Sequence, residues 1–308
     1  MEETALGLWG VPLAILAGAI RVSTPFIFVS LGETLTERSG RINLGLEGTL
    51  VFGAMSAYAV AVLTQSAWLG VLAAMCAGAV FGLLHGFICK FPKVNDIAIG
   101  IAMMQFGLGL AFFLGKPFIQ PVAPKLPSIP LGNWSSLPQV QAALTINVLF
   151  IVGLILTFAI AWMLKNTRIG LILRVVGDSS DAARAMGINP NTVRLLATAA
   201  GGALAAIGGA YLSLFYPGSW NERISSGQGL MAVALVIFAR WNPKGCLFAS
   251  LLFGGAGALG PALQSVGVTQ GYYLFYAAPY VLTLIILIMT SSPTTRLSGA
   301  PEELSLTK

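Results

Sequence analysis

Apart from their ends, the long apolar stretches of this sequence hold two ionisable carboxylate or guanidinium groups, Arg21 and Glu47. A charge in hydrocarbon is costly, so such groups turn toward protein or water and often mark function. Arg21 precedes Pro25 by four residues, so the proline deprives the Arg21 carbonyl of its helical partner, and Ser23-Thr24-Pro25 reads as a break in the first span. The plainer alternative is an arginine that snorkels or pairs with Glu47. Asn43 lies four residues before Glu47, so the two share a face if the helix has begun by then. Asn43 could cap that helix, and the pair could form part of an inner gate. His85, Gln105, Asn147 and Gln264 carry donors and acceptors suited to a small polar substrate, and Phe106, Phe112 and Phe113 offer stacking faces. Interhelical hydrogen bonds and packing are the plainer account of these residues.

Catalytic constellations are missing from this inventory. The chain has one histidine, and its apolar spans, as bounded from the sequence, show no paired carboxylates. Cys76, Cys89 and Cys246 are isolated, without CxxC or His pairing, and read as packing residues. No GxxxxGK[ST] occurs, so the chain does not bind ATP in the P-loop manner. An enzyme reading lacks parts, and no cofactor or metal is expected on this chain.

The elements that position these residues are membrane spans. Of 308 residues, 56% are hydrophobic and 9% charged, against about 25% charged in soluble domains. Nine apolar segments stand out, at 11–31, 45–64, 68–89, 97–114, 144–164, 195–216, 229–239, 246–264 and 272–290. A crossing takes about 20 apolar residues. Segment 229–239 falls short and reads as a thinned crossing, a broken helix or a re-entrant piece. With the N-terminus outside and the C-terminus inside, most of the 17 Lys and Arg residues lie in inner loops, among them Arg38, Arg41, Lys90, Lys93, Arg174, Arg184, Arg194 and Arg240. That asymmetry favours nine crossings, with eight or ten still compatible. The net charge of +6 therefore describes inner loops and does not point to nucleic acid. Glu2 and Glu3 stand where a cleaved signal would carry positive charge, so none is expected. The proline-rich stretch 116–141 reads as an extended loop on the outer side, a spacer or a cover over a pore mouth. Gly201, Gly202, Gly208 and Gly209 line one side of the sixth segment and predict a close helix contact.

Between the fifth and sixth segments lies a basic, polar island, Lys165–Arg194. Asp178 to Ser180 offer oxygens that could cap a helix start, and Ala182, Ala183, Arg184, Ala185 and Met186 are good helix formers. Gly187 can end the helix in the left-handed region, and Pro190 is expected to prevent resumption nearby. A short, well-punctuated helix on a chain with little other soluble mass suits docking of a soluble partner.

Three stretches carry a family resemblance: GETLTERSGRINLGLEGTLVFGAMSAY (32–58), VVGDSSDAARAMGINPNTVR (175–194) and SGQGLMAVALVIFARWNPKGCLFASLLFGGAGAL (226–259). In this order they resemble permease subunits of bacterial ABC importers of the branched-chain amino acid, simple sugar and nucleoside group, nearest the nucleoside type. The resemblance implies an all-α polytopic bundle of about nine transmembrane helices, of the vitamin B12-importer type with inverted repeats. The hairpins 45–64/68–89 and 229–239/246–264 would form such a repeat. It implies one permease domain over 1–308 in a bacterial inner membrane, with 165–194 as its cytoplasmic coupling loop. It also implies three kinds of partner besides lipid: a second permease, ATPase subunits that use ATP and Mg, and an extracytoplasmic binding protein. Asp178–Asn189 would be the coupling element, with Asp178, Arg184, Gly187 and Asn189 framing a packing face of Ala182, Ala183 and Met186. Nucleosides are the expected cargo, with ribose, galactose or branched-chain amino acids as alternatives. The rival classes are an ion-gradient-driven transporter, for which Glu47 would be the available acid, and a passive channel.

Overall fold

The computed structural model describes residues 10–264 apart from 120, 136, 138–139 and 142–143, then 275, 277–290 and 300–305. Four long helices come first: α1 (Gly10–Arg38), α2 (Leu46–Thr64), α3 (Ala67–Ile88) and α4 (Asp96–Gly115). The loop after α4 carries two short strands, β1 (Ser128–Pro130) and β2 (Thr145–Asn147), paired antiparallel with Ile129 opposite Ile146. Then come α5 (Val148–Asn166), α6 (Arg168–Asp178), α7 (Ser180–Ala185), α8 (Pro190–Leu214), α9 (Gln228–Phe238), α10 (Pro243–Gln264) and α11 (Ala278–Thr290).

Among the described residues, seven helices are long and apolar enough to cross a membrane: α1 to α5, α8 and α10. Segment 229–239 corresponds to α9, an 11-residue helix that spans roughly 16 Å, about half of a bilayer's ~30 Å hydrocarbon. Residues 272–274 and 276 of the 272–290 segment lie outside the described residues, and α11 covers 13 residues of the rest.

Three expectations change. Helix α1 runs unbroken through Pro25 and on to Arg38, instead of breaking at Ser23-Thr24-Pro25 and ending near residue 31. Ser23 and Thr24 turn their hydroxyls back to the Ile20 carbonyl at 3.2 and 2.8 Å, and close neighbours hold the turn together. Pro190 does not keep the chain from resuming a helix. It is the first residue of α8, where its missing N–H costs nothing, and Asn189 caps that turn. The basic island also holds a second helix, α6, whose Leu173 and Val176 are buried while Ile169 and Leu171 stay exposed.

Helix α8 is the central member, packed against α1, α2 and α3. Its glycines make that possible. A Cβ on Gly201 would stand 2.8 Å from the Gly32 carbonyl oxygen of α1; one on Gly202, 2.2 Å from that of Gly78 in α3; one on Gly209, 2.0 Å from that of Leu50 in α2. The predicted glycine contact is therefore three contacts, with main chains meeting directly. Around them lies the main apolar core, including Phe28, Leu50, Val51, Ala206, Tyr211 and Leu214.

The two ends of the bundle differ. One carries the β-hairpin, with Trp220 Nε1 donating to the Gly115 carbonyl and Tyr58 Oη to that of Pro121. The other carries Arg38, Arg41, Asp96, Arg194 and the α6–α7 pair, held by ion pairs between Arg41 and Asp96 (2.6 Å) and between Arg194 and Glu303 (3.1 Å).

Candidate functional site

Glu47 sits in the first turn of α2, one residue past the helix start at Leu46. Asn43 is not the cap of that helix. Gly45 holds the cap position, and the Asn43 side chain instead accepts from the Gly45 N–H at 2.9 Å in the turn leading in. Glu47 and Asn43 thus do not share a helical face. Both are buried, Glu47 6% and Asn43 2% exposed.

The Glu47 carboxylate is fully engaged, though not by Arg21. Its Oε1 accepts from Ser225 Oγ at 2.5 Å and from the Gly227 N–H at 2.9 Å; its Oε2 accepts from the Gly229 N–H at 2.6 Å. These donors sit at the start of α9, where amides have no intrahelical partner and the helix dipole is positive. The carboxylate of one helix therefore caps another. Gly229 is required here, because a Cβ there would lie 2.5 Å from the Glu47 Cα. From this buried start α9 descends to Trp241, whose carbonyl accepts from Arg38 Nε at 3.2 Å. Segment 229–239 is an 11-residue apolar helix, too short for a full crossing, with its first turn held by the Glu47 carboxylate.

Two further carboxylates lie beside this helix, and the sequence reading placed them in a loop. Glu33 and Glu37 are one turn apart in α1, 0% and 2% exposed. Glu33 Oε1 accepts from the Asn43 N–H at 2.9 Å, and Glu37 Oε2 accepts from the Trp241 indole. Glu33 Oε2 has no hydrogen-bond partner. The spans do contain paired carboxylates, and Glu47 is not the sole buried acid. The signal available was the four-residue spacing of Glu33 and Glu37, masked by the polar residues around them.

The remaining polar candidates do not converge. His85 is 1% exposed on α3, with Nε2 at 3.2 Å from the Ile42 carbonyl and 3.6 Å from Cys89 Sγ. Asn147 is the N-cap of α5, accepting from Leu149 N–H and donating to the Pro127 carbonyl. Gln105 and Gln264 are exposed on α4 and α10, and Arg21 is half-buried on α1. Phe106 stacks on Phe81 at 5.9 Å, while Phe113 is exposed. Among the described residues no group of three or more His, Cys, Asp and Glu is placed to hold a metal ion.

At the Arg38 end, α7 has the predicted punctuation. Ser179 caps it by accepting from the Ala182 N–H at 3.2 Å, and Gly187 closes it at φ +76°. Asp178, Asp181, Ala182, Arg184, Met186, Gly187 and Asn189 are exposed. Ala183 is fully buried, so it does not belong to the outward face assigned to it. At six residues, 180 to 185, the helix makes fewer than two turns and Ala183 points at the bundle. Glu303, from the last described turn, accepts from the Ser180 N–H at 2.6 Å and pairs with Arg194. Burial works to raise the Glu303 carboxyl, but the Ser180 hydrogen bonds and the Arg194 charge outweigh it and hold the group below its ordinary 4.5.

The family model described as "Branched-chain amino acid transport system / permease component" matches residues 15–290. The chain belongs to this permease family. Among its relatives, a putative glucose ABC transporter permease of Haloferax volcanii is 31% identical over 82% of this chain and 79% of its own length. A nucleoside ABC transporter permease of Lactococcus lactis and a guanosine ABC transporter permease of Bacillus subtilis are each 30% identical, over 89% of this chain and 91% of their own lengths. The permease is thus a multi-pass membrane protein of an ABC transporter.

Proposed function

We propose that this permease imports nucleosides, paired with a second permease and powered by ATPase subunits that dock on α7. The similarity to guanosine and nucleoside permeases over nearly nine-tenths of the chain carries the substrate reading. An extracytoplasmic binding protein would deliver the cargo at the β-hairpin end. The α6–α7 end would face the cytoplasm, consistent with its basic residues. Asp181, Ala182, Arg184 and Met186 form the face a soluble subunit can reach, and ATP-driven closure of that subunit would displace α7. The scattered pathway candidates agree with a channel that receives cargo already selected and holds it weakly.

Sugar import is the second reading, favoured by the glucose permease relative. Uptake of labelled guanosine and adenosine, with and without this chain and competed by glucose, ribose or leucine, separates them. Loss of nucleoside uptake on deletion, untouched by the competitors, supports the first. Unchanged nucleoside uptake with loss of glucose or ribose uptake moves the cargo to sugars.

A further inference from the structure

We infer that the turn at 301–305 is a rigid strut joining α7 to the half-helix α9, and that Glu303 is the residue that positions it. The inference rests on the ABC permease reading and is independent of which cargo is carried. Three observations carry it. First, Glu303 touches two elements at once: Oε1 receives the Ser180 N–H at the start of α7, and Oε2 receives Arg194 Nη2 from the first turns of α8. Arg194 is itself fixed by donating to the Ser39 carbonyl at 3.0 Å and to that of Val176 at 3.4 Å. Second, the turn's apolar side packs on the far end of α9. Ala300 and Leu304 lie against Val236, Ala239, Trp241 and Cys246. Third, the fit is close on both flanks. A Cβ on Gly40 would stand 3.0 Å from Glu303 Cβ, and one on Gly177 3.3 Å from Pro301 Cβ.

Close contacts of this kind, an ion pair and an apolar seat in one turn, shift as a unit or come apart. A push on α7 therefore reaches Trp241 through Glu303 and Leu304. Trp241 lies three residues past the end of α9, the helix whose beginning is held by Glu47. The turn connects the part an ATPase can touch to the part that is capped inside the bundle.

The test reads motion at the start of α9 without any cargo, so a sugar importer would answer as well as a nucleoside importer. Ser226 is exposed beside the Glu47 cap. In the complex co-purified with its ATPase, a Ser226→Cys thiol is labelled with and without ATP under conditions that block hydrolysis, over the background of the three native cysteines. ATP is expected to change the labelling rate when Glu303 is present. In Glu303→Ala that ATP-induced change should shrink roughly two- to thirtyfold, the range found for mutations within coupled networks. ATP hydrolysis by the same preparation reports that the complex is intact. If Glu303→Ala fails to assemble, Glu303→Gln serves in its place; it keeps the acceptor for Ser180, loses the ion pair and should give a smaller reduction. An ATP-induced change of wild-type size in the variant overturns the strut. So does the absence of any ATP-induced change with Glu303 in place, because nothing would then be transmitted.

Discussion

The Oε2 oxygen of Glu47 lies 2.6 Å from the amide nitrogen of Gly229, so a carboxylate near the start of one membrane helix closes the open start of another. Two more donors, Ser225 Oγ and the Gly227 N–H, complete the arrangement. Hydrogen bonds to a charged group contribute about 1.5–3 kcal/mol each, and stranding buried donors costs about as much.

Glu47→Ala should therefore lose several of these contributions together. We expect it to reach the membrane at reduced level, melt earlier in detergent and lose transport. Glu47→Gln, which keeps one acceptor oxygen and loses the other along with the charge, should fall between. The check is a thermal melt beside an uptake assay, and equal melting of Glu47→Ala and the parent would remove the capping role.

Substitution at the α8 contacts should depend on position. Gly202→Ala places a methyl 2.2 Å from the Gly78 carbonyl, whereas Gly109→Ala on α4 meets nothing within 4 Å. Overpacking of this kind costs about 1–3 kcal/mol. Membrane levels and melting temperature should fall for the first and stay unchanged for the second.

On α7, burial separates two variants that look alike in sequence. Met186 is 59% exposed and Ala183 0%. Met186→Arg should leave the protein at its normal level yet reduce ATP-driven uptake. Ala183→Arg should unseat the helix and lower the level of folded protein. Normal uptake by Met186→Arg would count against α7 as the docking element.

Acid should release the turn at 301–305. Because the Glu303 carboxyl is held below its ordinary 4.5, its stabilising effect is complete above the unfolded value and is lost as pH falls through the folded one. Thiol accessibility of Leu304→Cys should be flat from neutrality down to the ordinary glutamate value and rise as pH falls below it. In Glu303→Gln that rise should be missing.

The spans were legible because each is an apolar run of crossing length, and α7 because Ser179 and Gly187 sit where a short helix needs its cap and its left-handed end. What escaped the sequence depends on partners far along the chain. Glu33 and Glu37 looked like loop residues because α1 carries on past residue 31, and the partner of Glu37, the Trp241 indole, lies 204 positions away. Pro25 looked like a break for the same reason: tertiary packing on α8 and α10 sustains α1 past it. Pro190 was read as a stop, although proline is equally at home opening a helix. The Glu47 cap joins residues 182 positions apart, so it was visible only once the chain was folded.

Helix α8 meets three neighbours main chain to main chain, and this sets where the molecule can bend. Such surfaces have no long side chains to change rotamer and absorb a sliding step. The block of α1, α2, α3 and α8 should therefore be the stiff part, with its amides the last to exchange with deuterium. Movement is left to pieces seated on it by caps and ion pairs: α6–α7, the closing turn and α9. If α7 is driven as proposed, the cycle is a few short levers working against a fixed frame.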